Sequence, residues 1–340
     1  YHLSALSTAL DLNIYIYSEM RNVEAENVHD LLNLFNERTS NLCHAIIYKP
    51  INNSTTKSFG FLAQVVQNTN TEWNYKENGP DAWPFLFNGC KGEEQSPINI
   101  IINDLIHKPS LNPIIFNNYD KIYKWNLTHN GHTIISTPLY DSSSKAFING
   151  SDFSEKFELI QFHFHWGYNM YQGSEHLIDF LKFPLEIHFV HQSSKTGQLA
   201  VLGFLFQPTD EKISNPLFDD ISSINTTEMF QLVEYSVNSI VSISNKENLT
   251  SYFRYDGSLT TPPCSENVIW TVFDFKPKIS ISHIKRAFYS NWPMLNFREP
   301  QKTNKRNIYS SVCMNKYCTS TASERNSLSL YLLIVIGFYY

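Results

Sequence analysis

Gln161-Phe162-His163-Phe164-His165-Trp166-Gly167 is the stretch on which the reading of the chain turns. Side chains on a β-strand alternate with a period of two, so His163 and His165 share one face and Phe162, Phe164 and Trp166 share the other. The aromatic face reads as core. Two imidazoles held on one side of a rigid strand are half of a metal site. A matching stretch follows in Leu185-Glu186-Ile187-His188-Phe189-Val190-His191, where Glu186, His188 and Val190 share a face. An antiparallel return of the chain brings His188 beside the first pair. Three neutral imidazoles with a fourth position open are the form of a catalytic Zn²⁺ site rather than a structural one. Metal-bound histidines usually donate their other N–H to a carboxylate, amide or carbonyl. Gln161 lies one strand step from His163 and Glu186 one step from His188, so each is placed to orient a ring.

Around these strands the chain has the texture of a β-rich protein. It has 340 residues, 42% hydrophobic and 17% charged, with 24 Phe, 19 Tyr and 6 Trp. A formal net charge of -6 with no basic concentration excludes a nucleic-acid-binding surface. Strand-like runs occupy Ile114–Phe116, Lys121–Leu127, Thr133–Ser136, Phe157–Trp166, Leu185–His191, Leu199–Phe206 and Val268–Phe275. Turn pairs such as Asn130-Gly131, Asn149-Gly150 and Thr196-Gly197 separate them. Helical patterns are scarce, with candidates at Pro216–Asp220, Glu228–Val237 and Ser282–Ser290. The expectation is a mainly β fold (α+β) with short peripheral helices. One domain forms around a large, twisted, mostly antiparallel central sheet that carries the zinc site.

The flanks differ from this middle. Residues 1–70 are expected to be an extension of unknown structure, with one short amphipathic helix at Val28, Leu31, Leu32 and Phe35. The main domain is expected over residues 71–310. Residues 311–340 combine a polar, small-residue spacer, including Ser320–Ser323, with the apolar run Leu328–Tyr340. That run is too short to span a bilayer as a helix. The layout is that of a lipid (GPI) anchor signal, so a membrane partner is expected through an anchor on the extracellular face, by way of the secretory pathway. Acceptor patterns for N-glycosylation begin at Asn52, Asn53, Asn126, Asn149, Asn225 and Asn248, which also suggests secretion. The five cysteines, Cys43, Cys90, Cys264, Cys313 and Cys318, leave at least one without an intrachain partner.

Gln161–Gly167, Gly173-Ser174-Glu175-His176, Glu186–His191 and Gly257-Ser258-Leu259-Thr260-Thr261-Pro262-Pro263 together resemble the signature segments of the alpha carbonic anhydrases. Gln95–Asn99 and Asn130-Gly131-His132 match as well, and the resemblance runs from about Trp73 to about Arg306. It implies an extracellular carbonate dehydratase like the secreted and GPI-anchored forms, with His163, His165 and His188 on Zn²⁺ and water as the fourth ligand. Zinc-bound hydroxide would attack CO2 and release bicarbonate. By the same resemblance, Glu175 and Thr260 orient that hydroxide. Val190, Val201, Leu259 and Trp270 form the apolar CO2 pocket, with Thr261 beside the substrate. His132 is the proton shuttle, served by waters ordered at Tyr75 and Asn130. Ile135 stands where the most active members often carry Asn, which makes the cavity rim less polar and is expected to slow proton transfer. His129, His176 and His191 are structural or rim residues. Cys90 and Cys264 match a pair bridged in secreted and membrane-anchored members, and Cys313 pairs with Cys318 or between chains. The alternative is a non-catalytic binding or adhesion module on the same fold. Members of that kind lack one or more zinc histidines, whereas this chain has all three. A zinc hydrolase acting on esters would share the site.

Overall fold

The computed structural model describes residues 44–50, 59–65, 72–140, 144–227, 229–241 and 249–314. The helix expected around Val28–Phe35, Cys43, Cys318, the acceptor asparagines Asn52, Asn53 and Asn248, and the run Leu328–Tyr340 lie outside them. The chain divides into two compact units at Thr71 and Glu72. The first contains an antiparallel hairpin of β1 (His44–Pro50) and β2 (Phe59–Val65).

The second unit is built on strands. In chain order they are β3 (Asn99–Ile100), β4 (Ile106–His107), β5 (Ile114–Asn117), β6 (Ile122–His129), β7 (Ile134–Leu139) and β8 (Phe147–Gly150). Next come β9 (Phe157–Trp166), β10 (Leu177–Ile178), β11 (Leu185–Gln192), β12 (Leu199–Leu205) and β13 (Gln207–Thr209). The last are β14 (Phe230–Ser236), β15 (Tyr252–Ser258), β16 (Glu266–Phe273), β17 (Lys278–Ser280) and β18 (Tyr309–Ser310). The main sheet runs β14-β6-β7-β9-β11-β12-β16-β15-β18-β4, with β5 and β8 joined beside β9. Its pairings are antiparallel except β12–β16 and β18–β4. The fold class is therefore the one expected from the sequence.

Alternation decides what each face does. One face buries Trp125, Phe162, Phe164, Ile187, Phe189 and Phe204 in the larger core. The helix Pro216–Ser223 closes over that side. It starts at Asn215, whose side chain accepts from Leu217 N–H, and it buries Leu217, Phe218 and Ile221. The segment after Ile281 is helical as expected, but from Lys285 to Ser290 it widens into a π-helix. On the opposite face, strand register lays out two cross-strand rows. Ile135, His163, His188 and Gly203 pair in sequence across β7, β9, β11 and β12. Gln161, Val190, Val201 and Trp270 pair across β9, β11, β12 and β16. A β-bulge between Val190 and His191 ends the shared register of β9 and β11.

One expectation is corrected. The helix candidate Glu228–Val237 contains β14, an antiparallel strand on β6 with Phe230 opposite Thr128 and Ser236 opposite Ile122. Val233 is buried while Phe230, Leu232 and Glu234 face outward, which is a period of two. Glu228, Met229, Gln231, Leu232 and Glu234 are good helix formers, but the edge of β6 supplies hydrogen bonds that override this local preference.

Candidate metal centre and active site

β9 and β11 carry three histidines to one point. A nitrogen from each of His163, His165 and His188 lies within 4.8 Å of the others. The outward nitrogen of each ring is already committed. His163 Nδ1 meets Gln161 Oε1 at 2.9 Å, His165 Nδ1 meets the Asn296 carbonyl at 2.7 Å, and His188 Nε2 meets Glu186 Oε1 at 2.7 Å. Each acceptor is an oxygen, so each of these nitrogens carries the proton. The remaining nitrogens are bare lone pairs turned toward one another. His163 Nε2 and His188 Nδ1 are 3.3 Å apart. His165 Nε2 is buried with no hydrogen-bond partner among the described residues. Burial first, then the neighbouring rings, hold His163 well below the usual imidazole range, and burial brings His165 down to about 3. His188 is lowered too, with burial outweighing the opposing Glu186. Three neutral nitrogens facing inward with nothing to accept from are a donor set that fits Zn²⁺.

The support beneath this cage is acidic and fully buried. Glu186 Oε2 accepts from the backbone N–H groups of Glu175 and His176, and Oε1 from the rings of His176 and His188. Burial pushes its carboxyl up, but the His176 and His188 contacts outweigh that and hold it well below the usual carboxylate range. His176 passes the contact on to Tyr255 Oη at 2.7 Å, and Tyr255 donates to Ser96 Oγ. Glu175 accepts from Arg298 N–H at 2.9 Å through Oε1, while Oε2 lies 3.4 Å from His165 Nε2. Burial, then the charge of Glu186, push the Glu175 carboxyl well above its usual range. Hydrogen bonds from the Thr260 side chain and the Arg298 backbone pull the other way.

Above the cage is a cavity of about 290 Å³. It brings together Gln161, His163, His188, Val190, Val201, Leu259, Thr260, Thr261 and Trp270, so one wall is polar and the other apolar. Ile160 and Leu199 complete the apolar side. The Leu259–Pro263 loop is tied down at its far end by the Cys90–Cys264 disulfide. Gln95 adds bonds to the Cys264 carbonyl and to Glu266, and buried Arg298 holds Gln95 and the Ser96 carbonyl.

His132 does not line the cavity. Its ring stacks on Trp73 with centroids 3.8 Å apart and planes 12° apart. Burial lowers its pKa, opposed by the charge of Glu72. Asn130 is exposed and shapes the loop, its Oδ1 accepting from the N–H groups of His132 and Thr133. Tyr75 packs edge-on against Trp73 and Trp83, and burial pushes its hydroxyl up. His129 and His191 are not part of the cage. His129 stacks on Trp292 at 3.6 Å, and His191 contacts Tyr119 Oη and the Phe189 carbonyl. Cys313 is disulfide-bonded.

Sequence reasoning missed Asn296, Arg298 and the His176–Tyr255–Ser96 chain. Asn296 and Arg298 lie in a stretch without strand or helix, so no periodicity marks them.

Residues 78–312 match the family described as eukaryotic-type carbonic anhydrase. The chain is 34% identical to carbonic anhydrase 4 of Rattus norvegicus over 238 residues, covering 65% of this chain and 74% of that protein. It is 35% identical to carbonic anhydrase 4 of Mus musculus over 250 residues, covering 68% and 79%. With carbonic anhydrase 6 of Mus musculus the identity is 32% over 279 residues, covering 77% and 84%. The match contains the whole of the cage, its buried carboxylates and the cavity above them, and on that ground the chain belongs to the eukaryotic-type carbonic anhydrases, zinc enzymes that hydrate CO2 reversibly to bicarbonate.

Proposed function

We propose that this chain hydrates CO2 on the extracellular face of the plasma membrane, with His163, His165 and His188 holding Zn²⁺. The observation that carries the reading is the convergence of three imidazole nitrogens, from His163, His165 and His188, at a half-apolar cavity lined by His163 and His188. Bound zinc supplies Lewis acidity that makes water a nucleophile near neutral pH.

The protein's own groups do the rest. Gln161, the Asn296 carbonyl and Glu186 fix the tautomer and tilt of the three rings. Glu175, whose Oε2 lies 3.4 Å from His165 Nε2, would be ionised when His163, His165 and His188 hold the metal, because the metal's charge would offset the burial that otherwise keeps this carboxyl protonated. Ionised Glu175 accepts a hydrogen bond from the Thr260 hydroxyl, so the Thr260 oxygen is left to accept one from the nucleophile. That turns a lone pair toward the substrate, an orientation effect. Val190, Val201, Leu259 and Trp270 hold apolar CO2 where water binds poorly, and Thr261 sits at the polar edge. His132 takes the released proton to solvent from its perch on Trp73, with Tyr75 and Asn130 ordering the intervening water. Ile135, paired with His163, makes that route less polar.

The Cys90–Cys264 disulfide supports an oxidising compartment. The lipid anchor rests on the polar stretch after Cys313 and the apolar run Leu328–Tyr340. The test is to purify the full chain, measure its zinc content and follow CO2 hydration by pH change. Zinc bound at one per chain with accelerated hydration is the expected result. A metal-free protein, or a zinc-loaded one that leaves the hydration rate unchanged, overturns the assignment.

A further inference from the structure

We propose that Asn126 carries an N-linked glycan, and that this sugar covers an apolar face at the outer edge of the sheet. The inference rests on the extracellular reading above.

The acceptor pattern Asn126-Leu127-Thr128 lies inside β6, so Asn126 and Thr128 share its outer face. On one side Leu232 pairs with Asn126 and Phe230 with Thr128. On the other, Thr137 pairs with Asn126 and Ile135 with Thr128. Phe230 is 65% exposed and Leu232 61%. Ile122 and Leu139 extend the same face and are 71% and 51% exposed. Charge on this face comes from the Lys124–Glu234 pair at 3.8 Å. Among the described residues β14 pairs with no strand but β6, so the apolar face lies at the edge of the described sheet. Proteins normally blunt such edges, and a patch of this kind calls for a cover.

The Asn126 amide is turned for that role. Its Oδ1 is buried without a partner, while Nδ2, the atom that would carry the sugar, is on the solvent side and makes no hydrogen bond among the described residues. A pyranose ring shows C–H groups on one side and hydroxyls on the other. It can lie on Leu232 and Phe230 and present a wet surface outward. Asn149 lacks this setting. Its Oδ1 accepts from Asn117, and its partner Ser151 is buried against Tyr252 and Arg254. Asn225 is exposed with Thr226 and Thr227, and serves as an internal control.

The modification is a glycosyl transfer from a lipid-linked oligosaccharyl pyrophosphate. The Asn126 Nδ2–C1 bond forms as the C1–O bond to pyrophosphate breaks. The lipid pyrophosphate leaves, and one amide proton passes to a base of the transferase. The hydroxyl of Thr128 completes the acceptor pattern.

The test is to express the full chain in cultured animal cells, recover it from the cell surface and map glycan sites by mass after peptide N-glycosidase. Asn126 is expected as Asp after the enzyme acts. Asn126→Gln and Thr128→Ala should each lose the mass of one glycan, and Thr128→Ser should keep it. Removing the sugar should raise apolar-dye binding severalfold and promote self-association in sedimentation, and Phe230→Ser with Leu232→Ser should reverse both. Bare Asn126 beside a glycosylated Asn225 overturns the proposal alone. Bare asparagines at both positions on chain recovered from the cell surface overturn it and leave the extracellular location standing, whereas chain that never reaches the surface overturns that location as well. An occupied Asn126 whose removal changes neither dye binding nor sedimentation overturns the covering role. CO2 hydration in the same preparations, expected unchanged, separates these results from failure of the enzyme assignment.

Discussion

Glu186 accepts four hydrogen bonds, two from backbone N–H groups and two from imidazoles, and none of its donors can turn to water. Glu186→Ala is therefore expected to cost about 3 kcal/mol or more of stability, because buried donors are left unmet. It should also lower zinc affinity by about 10- to 100-fold through loss of the His188 orientation. Urea unfolding and competition with a chelator measure the two effects, and unchanged zinc affinity would mean that His188 is held by something else. His132 gives a second prediction. His132→Ala is expected to slow turnover in weak buffer by about a hundredfold, with rescue by added imidazole. If imidazole restores nothing, His132 is not the proton carrier. Burial against Trp73 lowers the His132 pKa, so Trp73→Ala should move it up toward the ordinary imidazole value. An NMR titration of the ring reads that shift, and a downward move would show that Glu72 dominates.

At the level of elements, β12 contributes a residue that no motif marks. Gly203 pairs with His188, and a Cβ there would stand 3.3 Å from Glu186 Oε1. Gly203→Val is expected to press on the Glu186 carboxylate and weaken zinc binding while the sheet persists, visible as lower zinc content with unchanged far-ultraviolet dichroism. The Cys90–Cys264 bridge joins positions 174 residues apart. Closing a loop of that length stabilises by about 5 kcal/mol in the chain-entropy model, and measured effects are often smaller. Reduction should lower the urea midpoint and, by freeing the Leu259–Pro263 loop, reduce turnover. Equal midpoints with and without reductant would contradict this. The strands at the site were legible because β9 and β11 alternate cleanly. β14 was not, because its outer face carries Phe230 and Leu232 where a half-buried strand would show polar residues. The apolar alternation that marks a strand is missing when both faces are apolar, and pairing with β6 decides the matter.

For the whole molecule, buried histidines set the response to acid. Burial lowers His129 to about 4 and His191 to about 3, from an ordinary 6.5. Both are neutral in the fold and take up a proton when the chain unfolds below about 6.5. Their contribution to stability is complete above that pH and is lost as pH falls through about 4 and about 3. Urea midpoints measured from pH 7 down to pH 4 should fall, and His129→Gln should flatten the upper part of that decline. A midpoint independent of pH in this range would refute the assignment. Zinc adds to stability by mass action, by about 2.7 kcal/mol when free metal is a hundred times its dissociation constant. The sequence by itself determined the clustering of His163, His165 and His188, their partners Gln161 and Glu186, and the β-rich class. Each of these follows from a period of two along one strand, which is a property of local backbone geometry. Only the tertiary structure decided that the Asn296 carbonyl holds His165, that Arg298 N–H reaches Glu175, that Trp73 shelves His132, and that Asn126 sits amid an apolar face. Those contacts join segments far apart in the chain, and they depend on strand register and closure of the sheet, which no local pattern encodes.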